Sequence, residues 1–192
     1  MPMLAAAGWR VQAFSRQTQA SGQVGSADEP VVFRTLPMTG SEEAGHGDVR
    51  IPDWVCLAPL WVLPEYFPML ASYKARRVVA LGSTSIFTKQ DSRSMAEQNT
   101  AGKLSNGEQR FIEWAEANRI EWVILRPTLI YGLGRDRNIC EIAKFISRFG
   151  FFPLLGAAQG LRQPVHVEDV AKACVAALQS PLAVNHAYNI SA

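Results

Sequence analysis

Hydrophobic positions along the chain fall into two alternating kinds of pattern. Short apolar runs predict strands over Trp9 to Phe14, Val31 to Leu36, Trp54 to Ala58, Arg77 to Leu81, Glu121 to Leu125 and Tyr188 to Ile190. Two of them, Val78-Val79-Ala80-Leu81 and Val123-Ile124-Leu125, are apolar at every position, as strands covered on both faces should be. Helical stripes lie between the runs. Ile139, Ile142, Ala143, Ile146 and Phe149 follow the i, i+3, i+4, i+7 rule, with Gly150 as the stop. Val170, Ala173, Cys174, Ala177 and Leu178 form a second stripe of small residues behind Glu168 and Asp169, whose charges suit the positive end of a helix dipole. A third helix is expected to begin near Ser105, because Ser105-Asn106-Gly107-Glu108 has the form of a capping box and Phe111, Trp114 and Ala115 then mark one face.

This rhythm predicts parallel βαβ units. At the front, Met3 to Ala7 reads as the tail of a helix stopped at Gly8 and followed directly by a strand. Residues 15 to 53 are dominated by Gln, Ser, Gly and charge, which predicts a poorly defined connection around one edge strand. No internal repeat and no second domain is evident, so residues 1–192 are expected to form a single domain.

Composition narrows the classes further. An apolar share of 48% and a charged share of 19% over 192 residues are what a globular core needs. Nineteen basic against seventeen acidic residues leave +2, too little for the dense phosphate neutralisation of a nucleic-acid partner. Lys74, Arg76 and Arg77 form the one tight basic knot, expected to be a solvated patch ahead of a strand. No run approaches the roughly 20 uninterrupted apolar residues of a membrane span, and Met1 to Arg10 carries no export signal. Cys56, Cys140 and Cys174 have no CxxC spacing, and His46, His166 and His186 are scattered, so no metal site is expected. Free thiols in apolar surroundings fit a reduced, cytoplasmic compartment.

Three longer segments carry a resemblance: Arg77-Val78-Val79-Ala80-Leu81-Gly82-Ser83-Thr84-Ser85-Ile86-Phe87, then Leu125-Arg126-Pro127-Thr128-Leu129-Ile130-Tyr131-Gly132, then Arg162-Gln163-Pro164-Val165-His166-Val167-Glu168-Asp169-Val170-Ala171. In that order and spacing the chain resembles the NAD-dependent epimerase/dehydratase family, the extended short-chain dehydrogenase/reductases that act largely on nucleotide sugars. Gly8 to Arg16 is similar to that family's first helix end and second strand. The resemblance implies a Rossmann-like, doubly wound, mostly parallel sheet with helices on both faces, here lacking the first strand and its Gly-rich loop. It also makes the chain look like a fragment, short of the family's pattern at both ends. Without that central strand, either the family's second and fourth strands pair directly or an unpaired edge remains.

What the resemblance implies for the site can be placed residue by residue. In the family a Tyr exchanges a proton with a substrate hydroxyl, a Lys four residues later lowers its pKa, and a strand-end Ser or Thr orients the substrate. Ser83 stands at that last position. Counting back from Glu108, the Lys position falls on Leu104 and the Tyr position on Thr100, neither able to do the chemistry; Lys103 is one residue off and could substitute only through a local shift. Ser15 and Arg16 fall where the family holds the adenosine ribose, and a guanidinium there complements a 2′-phosphate, so NADP is the expected cofactor, with NAD as the other candidate. Ala58, Pro59 and Leu60 match a cofactor-lining stretch, and Pro127 ends the strand beside the nicotinamide. Thr84, Ser85, Tyr131 and Arg162 fall to the substrate, Arg162 through its pyrophosphate. Each position also has a structural alternative: Ser83 to Ser85 can satisfy a turn, Ala58 to Leu60 can end a core strand, and Arg16 and Lys103 can be solvated. His166 and Asp169 are expected to be structural. The implied function is an NAD(P)-dependent oxidoreductase acting on a nucleotide sugar or related metabolite, with impaired cofactor binding. The implied partner is a small molecule, with neither membrane nor nucleic acid and with a homo-oligomer allowed. The alternative is a non-catalytic dinucleotide-binding scaffold or redox-sensing module.

Overall fold

The computed structural model describes residues 1–16, 30–36, 49–132, 134, 137–151, 153 and 163–191. They form two compact units, Met1–Pro52 with Glu65–Ala75, and Asp53–Pro64 with Arg76–Ala192.

In the first unit a short helix α1 (Pro2–Ala6) ends at Gly8, whose φ of +81° suits a residue without Cβ. Strand β1 (Val11–Ser15) then pairs in parallel with β2 (Val31–Thr35), Val11 opposite Val31 and Ser15 opposite Thr35. Helix α2 (Phe67–Ser72) buries Leu70, and the following Tyr73 meets the Phe14 ring edge-on at 5.8 Å while its carbonyl accepts from the Ile51 N–H.

The second unit holds a four-stranded, wholly parallel sheet in the order β3 (Asp53–Cys56), β4 (Arg77–Leu81), β5 (Glu121–Pro127), β8 (His186–Ile190). Successive residues of a strand point to opposite faces, and Val78, Val79 and Ala80 are all 0% exposed, so both faces of β4 are covered. The cover comes from α4 (Met95–Ala117), packed on β5, and α6 (Val167–Gln179), packed on β3, β4 and β5. A short helix α3 (Ser85–Thr88) follows β4, and α5 (Arg137–Phe149) lies between β6 (Ile130–Tyr131) and β7 (Val165–His166), which pair in parallel. The chain therefore has the parallel βαβ arrangement that the strand and helix rhythm predicts and the Rossmann-like α/β architecture that the resemblance implies. β1 and β2 make a sheet of their own, and among the described residues β3 pairs only with β4.

Two expectations need correction. The helix over the capping-box sequence starts at Met95, not near Ser105, and places Ser105 in its middle on an exposed position. Serine and glutamate three apart are also ordinary neighbours inside a helix, and here packing overrides the local signal: the chain at Leu60 and Trp61 crosses directly over Gly107. The basic knot is not uniformly solvated either. Arg77 is 5% exposed; its Nη1 donates to the carbonyls of Ala177, Leu178 and Ser180 at the end of α6, and its Nε donates to Glu121 at 2.7 Å. Arg76 bonds Asp53 at 2.7 Å in the same strand-end cluster.

Burial pushes the Cys174 thiol up to about 11 and that of Cys56 up to about 12, so both stay protonated near neutrality and pack as small apolar groups.

Candidate functional site

Ligands of an open parallel sheet collect at the carboxyl ends of its strands. There the loops after β4 and β5 are stitched together by backbone bonds, Gly82 N–H to the Leu125 carbonyl at 2.8 Å and Thr84 N–H to the Pro127 carbonyl at 3.2 Å. This brings Ser83, Thr84 and Ser85 beside Pro127. The Ser85 N–H donates to Ser83 Oγ at 3.2 Å, and the two serine hydroxyls bond each other at 3.1 Å. Thr84 turns its hydroxyl to the Pro127 carbonyl at 3.5 Å.

Behind this hydroxyl pair lies a buried charge pair that the sequence did not announce as such. Arg126 Nε donates to both Glu108 oxygens at 3.0 and 3.1 Å and its Nη2 to Oε2 at 2.5 Å, with the side chains 17% and 5% exposed. The carboxylate occupies the space that a Cβ on Gly82 would fill, 2.7 Å from Glu108 Oε1, which is why a glycine precedes Ser83. The guanidinium also faces the Phe87 ring, 5.2 Å from its centroid. A bidentate pair of this kind fixes where α4 stands against β5.

That fixed register decides what α4 offers. Leu104 is 6% exposed and faces the core, while Lys103, about 100° around the helix, is exposed. Thr100 spends its hydroxyl on the Ala96 carbonyl at 2.8 Å. The helix is unbroken from Met95 to Ala117, so the local shift by which Lys103 would take the lysine position is not present.

The remaining positions are distributed as follows. Ser15 ends β1 and accepts the Leu36 N–H at its carbonyl, and Arg16 after it is exposed. Ala58 is half-buried and Pro59 exposed, whereas Leu60 is 0% exposed, its side chain in the core. Tyr131 meets the His166 ring edge-on at 5.3 Å, opposite it in the β6–β7 register, and Gly132 at φ +131° makes room for His166 Nε2. His166 caps α6 by accepting the Glu168 N–H, and the hydrogen bond from Lys172 holds the Asp169 carboxyl below its usual range, so both have structural employment. Arg162 lies outside the described residues. No cluster of His, Cys, Asp or Glu that could hold a metal occurs among the described residues, and no helix among them is long and apolar enough to cross a membrane.

A model of the NAD dependent epimerase/dehydratase family matches residues 67–191, which contain every element of this strand-end site. The chain belongs to that family. Among relatives, it is 42% identical over 59 residues to the NADH dehydrogenase [ubiquinone] 1 alpha subcomplex subunit 9, mitochondrial, of Arabidopsis thaliana, a match covering 31% of this chain and 14% of that protein. It is 26% identical over 87 residues to UDP-glucose 4-epimerase of Vibrio cholerae, covering 45% of this chain and 26% of that protein. A mutant UDP-glucuronic acid 4-epimerase from Bacillus cereus, in complex with UDP-4-deoxy-4-fluoro-glucuronic acid and NAD, superimposes with a TM-score of 0.72 at 14% identity, over 99% of this chain and 72% of that one. At that identity the likeness is one of fold.

A nicotinamide dinucleotide, which the family name implies, finds groups that suit its nicotinamide side at this strand end. Hydroxyls at the carboxyl edge of β4, beside Pro127, suit the nicotinamide side. A pyrophosphate needs backbone N–H groups behind a Gly-rich turn, and the 192 residues contain neither GxGxxG nor GxxGxxG.

Proposed function

We propose that the carboxyl ends of β4 and β5 form the substrate side of an NAD(P)-dependent epimerase, dehydratase or reductase site that takes a nucleotide sugar or a related phosphorylated metabolite. The observation that carries this reading is the Ser83–Ser85 hydroxyl pair. After their mutual bond and the Ser85 N–H are counted, the pair retains one hydrogen and two lone pairs. That set complements a carbinol, which both donates and accepts. A bound dinucleotide would supply hydride exchange at the carbinol carbon. The chain's own residues bind and orient: Ser83 and Ser85 hold the hydroxyl, and Glu108 and Arg126 keep the turn in place. The same α4 geometry favours a second reading, a non-catalytic binding module, because neither Thr100 nor Leu104 can move a proton.

Both readings are tested by following reduced nicotinamide absorbance with UDP-sugars. Turnover that falls roughly ten- to a hundredfold in Ser83→Ala supports the enzyme with Ser83 orienting the substrate. Turnover indifferent to that change removes Ser83 from the site, and UDP-sugar binding without turnover establishes the module.

For the cofactor we propose NADP, on the strength of Arg16, an exposed guanidinium directly after β1. Charge-assisted bonds to a 2′-phosphate should make 2′,5′-ADP bind about tenfold more tightly than 5′-AMP. Calorimetric titration of Arg16→Ala is expected to abolish that difference; equal affinities in the unmodified chain would assign NAD instead.

A further inference from the structure

We infer that Arg34 joins Arg16 in gripping the 2′-phosphate of the cofactor's adenosine, an inference that rests on the NADP reading of this strand end.

The strand pair of the first unit places the two arginines. In its parallel register Phe14 stands opposite Arg34 and Ser15 opposite Thr35, and past the strand ends the Leu36 N–H still donates to the Ser15 carbonyl at 2.8 Å. Neighbouring strands lie about 4.8 Å apart and a strand rises about 3.3 Å per residue, so the Ser15 Cα is about 6 Å from that of Arg34. Arg16 follows by one step of about 3.8 Å, which keeps the two arginine Cα atoms within about 10 Å however the chain bends after Ser15. Two arginine side chains can reach one anion across that separation.

Arg34 also sits where an arginine is not expected. Side chains alternate along β2: Phe33 and Thr35 are exposed, while Val32 and Arg34 take the other, half-buried face, which Phe14 shares. Phe14 packs there against Tyr73 and calls for an apolar neighbour; instead Arg34 buries its Nε without a hydrogen-bond partner. Buried polar groups are normally paired, so such a donor asks for a group from outside the protein. Gln12, on the same face, also buries its side-chain oxygen unpartnered, and being uncharged it leaves the guanidinium's charge unmatched. Arg76, Arg77 and Arg126 each have a carboxylate, but among the described residues neither Arg34 nor Arg16 does.

The chemistry of the ligand follows. Two guanidiniums at one strand end with no acid between them repel each other, and an anion turns that repulsion into charge-assisted bonds. A phosphate monoester brings nearly two negative charges near neutrality and three acceptor oxygens, enough for both cations. Exposed Arg16 draws the group in, and Arg34 closes on it from the covered face. A neutral ribose 2′-hydroxyl leaves both charges unmatched, so the pair selects the phosphorylated adenosine.

Calorimetric titration with 2′,5′-ADP and 5′-AMP tests this in the unmodified chain, in Arg34→Met and in Arg34→Lys. Arg34→Met is expected to cut the roughly tenfold preference for 2′,5′-ADP to about threefold or less, with 5′-AMP binding unchanged, and Arg34→Lys should retain more of it. A structural arginine would leave a different signature. Because Arg34 has no bonded partner to lose, Arg34→Met should melt at the same temperature as the unmodified chain or above it, and 2′,5′-ADP should raise that temperature less in the variant. A preference undiminished in Arg34→Met but lost in Arg16→Ala overturns the role of Arg34 and leaves the NADP reading standing. A lower melting temperature with both nucleotides weakened alike overturns it in favour of a role in holding the strand pair. Equal affinities for the two nucleotides in the unmodified chain, or no binding of either, overturn the arginine pair and the NADP reading together.

Discussion

Arg126→Met is expected to destabilise the protein by about 3 to 5 kcal/mol, because it strands the buried Glu108 carboxylate without its bidentate partner. The two side chains are similar in volume, so the loss is one of charge and hydrogen bonding more than of packing. The comparison that isolates the cause is the double variant Glu108→Leu with Arg126→Met. Removing both charges removes the desolvation cost as well as the attraction, so the double variant should recover most of the loss. Urea unfolding measures both; the midpoint should drop sharply in the single variant, with the slope unchanged. A single variant within about 1 kcal/mol of the parent would mean that the pair is hydrated like a surface salt bridge.

How far these features could be read in the sequence depends on the range of the interaction that makes them. Apolar runs buried on both faces, Val78 to Leu81 and Val123 to Leu125, declare themselves because every position is apolar, and the strands fall there, with β5 continuing to Pro127. The stripes over Ile139 to Phe149 and Val170 to Leu178 likewise become α5 and α6. Short elements were not legible. Residues 63–72 carry two prolines and an aromatic cluster that obscure any stripe, yet they contain a 3₁₀ turn and α2, and the two-residue strands β6 and β7 are too brief for any periodicity to register.

The site divides in the same way. Ser83 could be placed because it follows an obvious strand, and its loop does lie at the carboxyl edge beside Pro127. The partnership of Glu108 with Arg126 spans 18 residues and two different elements. Sequence supplied Glu108 only as a marker for counting and Arg126 only as a strand end; a buried glutamate on the apolar face shared by Leu104, Phe111 and Ala115 was the signal that could have asked for a cation. The burial of Arg77 has the same origin, since its acceptors lie about a hundred residues away at the end of α6. Local pattern also misled once, where a capping-box spelling proved to be the middle of a helix.

That spelling conceals the second large effect expected here. Gly107→Ala should destabilise the protein by about 2 to 3 kcal/mol, although alanine is the better helix former by about 1 kcal/mol. A Cβ at Gly107 would stand 2.7 Å from both the Leu60 carbonyl carbon and the Trp61 nitrogen, and 2.9 Å from the Leu60 oxygen. All three are backbone atoms, which cannot rotate away as a side-chain tip would, so either α4 or the Leu60–Trp61 segment must move. Moving α4 would carry Glu108, the next residue, away from Arg126 and Gly82; moving the loop would lift Leu60, 0% exposed, out of the core. Gly102, one and a half turns earlier on the same helix, supplies the control, for a Cβ there meets nothing within 4 Å. Gly102→Ala is therefore expected to stabilise by several tenths of a kcal/mol up to about 1. Thermal melts of the two variants should move in opposite directions. A Gly107→Ala protein as stable as its Gly102→Ala counterpart would mean that the 60–61 crossing is looser than the geometry requires, and that α4 is not held in the register that turns Leu104 inward and Lys103 outward.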